Sequence, residues 1–198
     1  MEKIAVIPIR SGSKRLFKKN YKLFNSRTLA EIARDKCLAS GIFDKIIISS
    51  DDPIFENLVN CNNVEFLQRS SRLTDDNAST DIVVDFLFEN FTGCESILWV
   101  NSVSPLQSIQ DIKNCGLSLN NPDVDSIMAI NTLYQHCCIS GKPLNFNPQN
   151  SFEMTQNLQP IQRYVYSCMG WKRDVYVNKR SKRFGYAAKK TKVYDTNL

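Results

Sequence analysis

Histidine is almost missing from this 198-residue sequence, which contains one, His136. A lone histidine is more often structural than catalytic, and no catalytic role is assigned to it. The seven cysteines are odd in number and contain no Cys-x-x-Cys pair. That excludes a disulfide framework and a zinc site of the usual spacing, and fits small apolar side chains in a reducing cytosol. Glycine is sparse near the N-terminus. Gly12 stands alone after the first apolar run, so there is no dinucleotide fingerprint, and no Gly-Lys-Ser/Thr triplet follows to make a Walker A loop. The longest apolar runs are too short to span a bilayer. The N-terminus enters a strand pattern directly, without a signal-peptide apolar region and cleavage site, so a cytoplasmic location is expected.

What is present describes an ordinary globular chain. Hydrophobic residues make up 42% and charged residues 23%, and the length suits a single domain, residues 1–198, with a substantial core. The formal charge is +5 but unevenly placed: Lys172 to Lys192 holds nine Lys/Arg and one acid, Asp174. Such a run fits a phosphorylated ligand, nucleic acid, or a solvated face, the last being commonest.

Ile4 to Ile7 is a short, β-branched run of the kind found in buried strands, and Pro8 ends it. Arg10, Ser11, Gly12, Ser13, Lys14 and Arg15 follow, then Lys18, Lys19 and Asn20. Small residues between cations suit a loop that approaches phosphate through backbone N–H groups. They suit an ordinary basic surface loop equally well. Thr28 is placed to cap a helix reaching Ser40, with Gly41 as its stop. Lys45 to Ser49 reads as a second strand, Pro53 opens a helix continuing over Ile54 to Val59, and Val64 to Leu67 reads as a third strand. A polar segment, Arg69 to Asp81, leads into a helix over Ile82 to Phe91, with Thr80 or Asp81 as its cap. Ser96 to Val100 is a fourth strand, Ile109 to Leu119 a helix, and Asp125 to Asn131 a fifth strand. Periodicity then fails from Thr132 to Val165, too long for an ordinary connection. Asp174 to Val177 reads as a further strand. Alternating strands and helices predict an α/β fold with a mostly parallel sheet and helices on both faces. Ligands of such sheets bind beyond the carboxyl ends of the strands, where Arg10, Ser50, Asp51, Gln68 and Arg69 would gather.

Four stretches together resemble the acylneuraminate (CMP-sialic acid) cytidylyltransferases. The family opens with a strand, Pro-Ala-Arg-x-x-Ser-Lys and then Lys-Asn; Pro8, Arg10, Ser13, Lys14, Lys19 and Asn20 match. Its second motif, Arg-Pro-x-x-Leu followed by Asp-x-Ala-Ser and another hydroxyl residue, is met by Arg69, Leu73, Asp76, Ala78, Ser79 and Thr80, with Ser70 in place of proline and Arg72 in place of an acid. Its Gln-Pro-Thr-Ser-Pro-Leu-Arg segment is met by Ser104, Pro105 and Leu106, while Asn101, Val103 and Gln107 depart from it. Its terminal Asp-x-Asp-Thr corresponds to Val193, Tyr194, Asp195 and Thr196, so that one of two acids is replaced.

The resemblance implies a three-layer α/β/α Rossmann-like nucleotidyltransferase fold and transfer of CMP from CTP to an acidic nine-carbon, sialic acid-like sugar, with release of pyrophosphate for cell-surface glycan biosynthesis. It implies that Arg10, Lys14 and Lys19 hold the triphosphate and that N–H groups at Ser11 to Ser13 stabilise developing oxyanions. Arg10, Ser11, Gly12, Ser13, Asn20, Arg69, Asp76, Ala78, Ser79 and Thr80 would bind nucleotide. Asn101, Ser104 and Arg163 would meet the acceptor sugar. Mg²⁺ would be the cofactor, with Asp195 its ligand. Residues 132–165 would form an excursion serving a homodimer and the acceptor site. The other readings are a catalytically degenerate nucleotide- or sugar-phosphate-binding relative, for which Val193 is the discriminating position, and, ranked below it, nucleic-acid binding through the basic C-terminal run.

Overall fold

In the computed structural model the described residues are 2–13, 16–75, 77–178 and 191–196, with 191–195 described by their backbone. In chain order the elements are β1 (Glu2–Pro8), a 3₁₀ turn (Lys19–Tyr21), β2 (Leu23–Phe24), β3 (Arg27–Thr28), α1 (Leu29–Ser40), β4 (Lys45–Ser50), a 3₁₀ helix (Pro53–Leu58) and β5 (Val64–Gln68). A 3₁₀ turn (Ser71–Leu73), α2 (Thr80–Asn90), β6 (Cys94–Val100), α3 (Ile109–Ser118) and β7 (Ser126–Leu133) follow. The remainder comprises β8 (Cys138–Ile139), β9 (Lys142–Pro143), a 3₁₀ turn (Thr155–Asn157), β10 (Ile161–Lys172), α4 (Arg173–Asn178) and β11 (Thr191–Asp195).

The described residues form a seven-stranded sheet in the order β11-β7-β10-β6-β1-β4-β5. Its neighbours pair in parallel except at β10, which runs antiparallel to both β6 and β7. β1 is central because Ile4, Ala5, Val6 and Ile7 are wholly apolar and wholly buried, which only a strand covered on both faces permits. The two-residue period of the strands divides them between two cores. Ala5, Ile7, Ile46, Ile48, Leu98 and Val100 pack with Ala30, Ala33 and Cys37 of α1 and with Ile112 and Cys115 of α3. Ile4, Val6, Ile47, Ile97 and Trp99 face the other way, onto Val83, Val84, Leu87 and Phe88 of α2 and Tyr176 of α4. The α/β/α layering expected from the sequence is thus present.

The helix ends follow local chemistry. Thr28 Oγ1 accepts from the Glu31 N–H at 3.2 Å, Glu31 Oε2 accepts from the Thr28 N–H at 2.6 Å, and Gly41 ends α1 at φ 66°. α2 starts at Thr80, two residues before the expected Ile82. Ser79 caps it by accepting from the Ile82 N–H at 3.4 Å, which leaves Thr80 and Asp81 in the first turn. The helix expected over Ile54 to Val59 is a 3₁₀ segment, Pro53–Leu58.

One expectation fails in the C-terminal half, and one strand there was not foreseen. Asp174 to Val177 is helical, inside α4, although its composition suits a strand. β10 already has β6 on one side and β7 on the other, so no sheet edge is open where it ends. The chain turns instead: Arg173 Nη1 donates to the carbonyls of Phe88 and Phe91 at the end of α2, and Tyr176 packs on Phe88 and Trp171. β10 itself, twelve residues long and central, was not expected beyond the aperiodic stretch.

Candidate active site

The strand order reverses at β1, with β4 and β5 on one side and β6 on the other. A crevice forms at such a point because successive connections leave the sheet toward opposite faces. Here a cavity of about 300 Å³ opens beyond the ends of β1 and β6. Arg10, Ser13, Lys19, Asn20, Arg69, Ala78, Ser79, Thr80 and Asn101 line it. Segments separated by up to about ninety residues in sequence therefore meet in one place.

Asn20 joins the two walls. It is 4% exposed, its Nδ2 donates to the Arg10 carbonyl at 3.0 Å, and its Oδ1 accepts from Ser102 Oγ at 3.0 Å. Arg69 is 5% exposed. Its N–H donates to the Ser50 carbonyl at 2.7 Å and its Nη2 to the Ile9 carbonyl at 2.5 Å, tying the ends of β5, β4 and β1 together. Burial pushes the Arg69 guanidinium down to about 10, opposed by nearby Asp51 and reinforced by Arg10, so it keeps its charge at neutral pH. The cavity thus receives cations from Arg10, Lys19 and Arg69, and hydroxyls from Ser13, Ser79 and Thr80.

One expected role is corrected. The Ser11 N–H donates to Asp51 Oδ1 at 2.9 Å and Ser11 Oγ to Asp51 Oδ2 at 2.6 Å. Both donors of Ser11 are engaged away from the cavity, so the backbone stabilisation expected at Ser11 to Ser13 does not include Ser11. Burial opposes ionisation of Asp51, but these two hydrogen bonds and the Arg69 charge outweigh it and hold the carboxyl below its ordinary range. Gly12 adjoins the cavity without lining it. Ser104 lies in the following turn, its N–H donating to the Asn101 carbonyl at 3.2 Å. Arg163 is exposed on β10, opposite Asn131 of β7, and is not brought to the cavity. Lys14, Asp76 and the side chain of Asp195 lie outside the described residues; the Asp195 backbone ends β11, opposite Ile130.

Sequence reasoning missed Trp99, Ser102 and Asp75 among the lining residues. Trp99 read as strand core, which its other contacts make it. Ser102 sits within the motif segment that begins at Asn101, and that adjacency was its available signal. Lys36 was also missed. From α1 its Nζ donates to the carbonyls of Pro105 and Gln107, both at 2.6 Å, which fixes the turn after Asn101.

A doubly wound sheet with a cation-lined crevice at its switch point defines the class as an α/β fold with a site suited to an anionic ligand. A family model described as cytidylyltransferase matches residues 4–159. The chain belongs to that family, as a divergent member. It is 29% identical over 139 residues to an N-acylneuraminate cytidylyltransferase of Streptococcus agalactiae serotype V, covering 69% of this chain and 33% of that protein. It is 37% identical over 90 residues to a pseudaminic acid cytidylyltransferase of Campylobacter jejuni, covering 45% of this chain and 39% of that protein. The chain spans about a third of the length of the first of these relatives. Among solved structures, a CMP:2-keto-3-deoxy-manno-octonic acid synthetase complexed with CTP superposes with a TM-score of 0.70 at 13% identity, covering 100% of this chain and 92% of that one. A 4-diphosphocytidyl-2C-methyl-D-erythritol synthase from Anaerococcus prevotii gives 0.68 at 14% identity, covering 100% and 88%. These two likenesses establish the fold.

Proposed function

We propose that the chain transfers CMP from CTP to an acidic nine-carbon sugar of the sialic acid type. The observation that carries this reading is the convergence of Arg10, Lys19 and Arg69 on one cavity at the β1/β6 switch point, together with Asn20, Ser79 and Thr80. The sugar's anomeric hydroxyl attacks the α-phosphorus in line, a new P–O bond forms, the bond to the β-phosphate breaks, and pyrophosphate leaves. Catalysis of this kind consists mainly of positioning and charge neutralisation. Arg10 and Lys19, with Lys14, hold the triphosphate. Asn20, Arg69, Ala78, Ser79 and Thr80 hold ribose and base, with Asp76 from the same segment. Asn101 meets the sugar at the cavity's far wall.

Magnesium fits this chemistry, because the ion takes one or two protein carboxylates and completes its shell with substrate phosphates and water. Among the described residues no group of three His, Cys, Asp or Glu is placed to hold a metal unaided. The ion would come with the triphosphate, with Asp195 as its protein ligand. When bound it neutralises charge on the transferring phosphoryl group. Thr196 pins the end of β11, the outermost strand beside β7, through its N–H and Oγ1, which donate to the Ile130 carbonyl at 2.9 and 3.0 Å. Names of relatives support the sialic acid-like acceptor, and the shorter amide of Asn101 would contact it from deeper in the site.

The deciding assay is pyrophosphate release with CTP, Mg²⁺ and a panel of acidic nine-carbon sugars, with UTP and ATP as controls. Release that needs CTP and one sugar establishes the reaction. CTP stabilisation without release favours the degenerate binder, and the absence of both release and CTP stabilisation would sink the nucleotide reading.

A further inference from the structure

Two consecutive aspartates, Asp51 and Asp52, follow the carboxyl end of β4, and neither lines the cavity. Each reaches a different end of the basic loop between β1 and β2. Asp51 takes both donors of Ser11, at 2.9 and 2.6 Å. Asp52 Oδ2 accepts the Tyr21 hydroxyl, while its Oδ1 accepts the Ile54 N–H at 3.0 Å and so caps the 3₁₀ helix that follows. The Tyr21 ring lies against Phe55 of that helix, with centroids 4.9 Å apart. The Ile9 N–H donates to the Ser49 carbonyl at 2.8 Å, which extends the β1–β4 pairing to the loop's first residue. Between these anchors lie Arg10, Ser13, Lys19 and Asn20, whose side chains line the cavity.

A carboxylate beside a polyphosphate site repels its ligand unless its charge is directed elsewhere. Both Asp51 oxygens are spent on Ser11, and the Asp51 charge is balanced by Arg69. We infer that Asp51 and Asp52 are positioning residues that fasten the two ends of the basic loop to β4, so that Arg10 and Lys19 converge on the β- and γ-phosphates. This inference rests on the reading of the cavity as a CTP site. Its consequence is graded: the pair affects recognition of the polyphosphate most, and reaches ribose and base only through Asn20 in the same loop and the Arg69 charge.

The test uses the whole chain as wild type, Asp51→Ala, Asp51→Asn and Tyr21→Phe. Hydrogen exchange of the Ser11 amide is measured without nucleotide, and affinities for CTP and CMP by calorimetry. Asp51→Ala is expected to speed Ser11 exchange and weaken CTP about tenfold or more, with a clearly smaller loss for CMP. Asp51→Asn retains one acceptor for the Ser11 N–H and falls between wild type and alanine. Tyr21→Phe removes one hydroxyl and weakens CTP in the same graded way. Equal losses of CTP and CMP, or unchanged Ser11 exchange, overturn the inference. If Asp51→Ala does not fold, the asparagine and phenylalanine variants, each lacking one hydrogen bond, decide it. Absence of CTP binding by the wild type would instead remove the CTP reading, and the exchange measurement would still decide whether Asp51 anchors the loop.

Discussion

Asn20 shows how one side chain closes a site. Its amide satisfies the Arg10 carbonyl on one wall and the Ser102 hydroxyl on the other, in a position almost sealed from water. Removing a buried partner leaves its mates unsatisfied, at about 1–3 kcal/mol. Asn20→Ala is therefore expected to lower stability by about that amount and to weaken CTP binding, read by denaturant unfolding and calorimetry. Asp51 makes a different prediction. Its folded-state pKa lies below the ordinary 3.8, so its contacts stabilise fully above that value and are lost as pH falls through the folded value. The wild type should lose more stability than Asp51→Asn on acidification below about pH 4, measured as unfolding midpoints against pH. An equal acid limb in the two proteins would show that the Ser11–Asp51 contact carries no linked stability.

Among the elements, legibility followed how local the determining physics is. α1 was readable because Thr28, Glu31 and Gly41 specify its ends by contacts within one turn. β1, β4 and β6 were readable because burial on both faces demands continuous apolar runs. The basic loop and the segment from Arg69 to Thr80 were legible only through likeness to family motifs; their composition alone fits ordinary loops. β10 was illegible for a structural reason. Its first residues, Ile161 to Tyr164, are largely open to solvent, its ladder with β7 shifts register between Tyr164 and Met169, and Tyr166 takes a positive φ of 54°. No steady period survives that break. Gly170 marks the buried half. A Cβ there would lie 2.8 Å from Leu119 Cδ1 and 2.9 Å from Ile127 Cγ2, because β10 passes close beneath α3. Gly170→Ala should destabilise by about 1–3 kcal/mol through overpacking, seen as a lower urea midpoint with an unchanged slope.

For the whole molecule the question is what the stretch expected as an excursion, residues 132–165, accomplishes. Its two ends are strand: β7 runs on to Leu133, and Ile161 to Tyr164 of β10 pair with its last residues. Between them one side chain organises the chain. Asn145 Nδ2 donates to the carbonyls of Gln135 and Gln159 at 2.9 and 2.8 Å, and its Oδ1 accepts the Cys137 N–H at 2.9 Å. His136 is stacked on Phe152 and meets Phe146 edge-on. Among its exposed polar residues this arm carries large apolar side chains: Phe152 is 85% exposed and Met154 63%, with Tyr134, Ile139 and Leu144 also exposed. Apolar surface held in a defined shape favours association. The expected homodimer would bury these side chains, while the cavity is built from the β1, β5 and β6 ends and the start of α2, apart from the arm. Phe152→Glu combined with Met154→Glu should therefore convert a dimer into a monomer in sedimentation, leave CTP affinity within about twofold, and reduce turnover if the partner's arm completes the acceptor site. A wild type that sediments as a monomer at micromolar concentration would rule out the dimer. Full turnover by the monomeric variant would show that each chain carries its acceptor site alone.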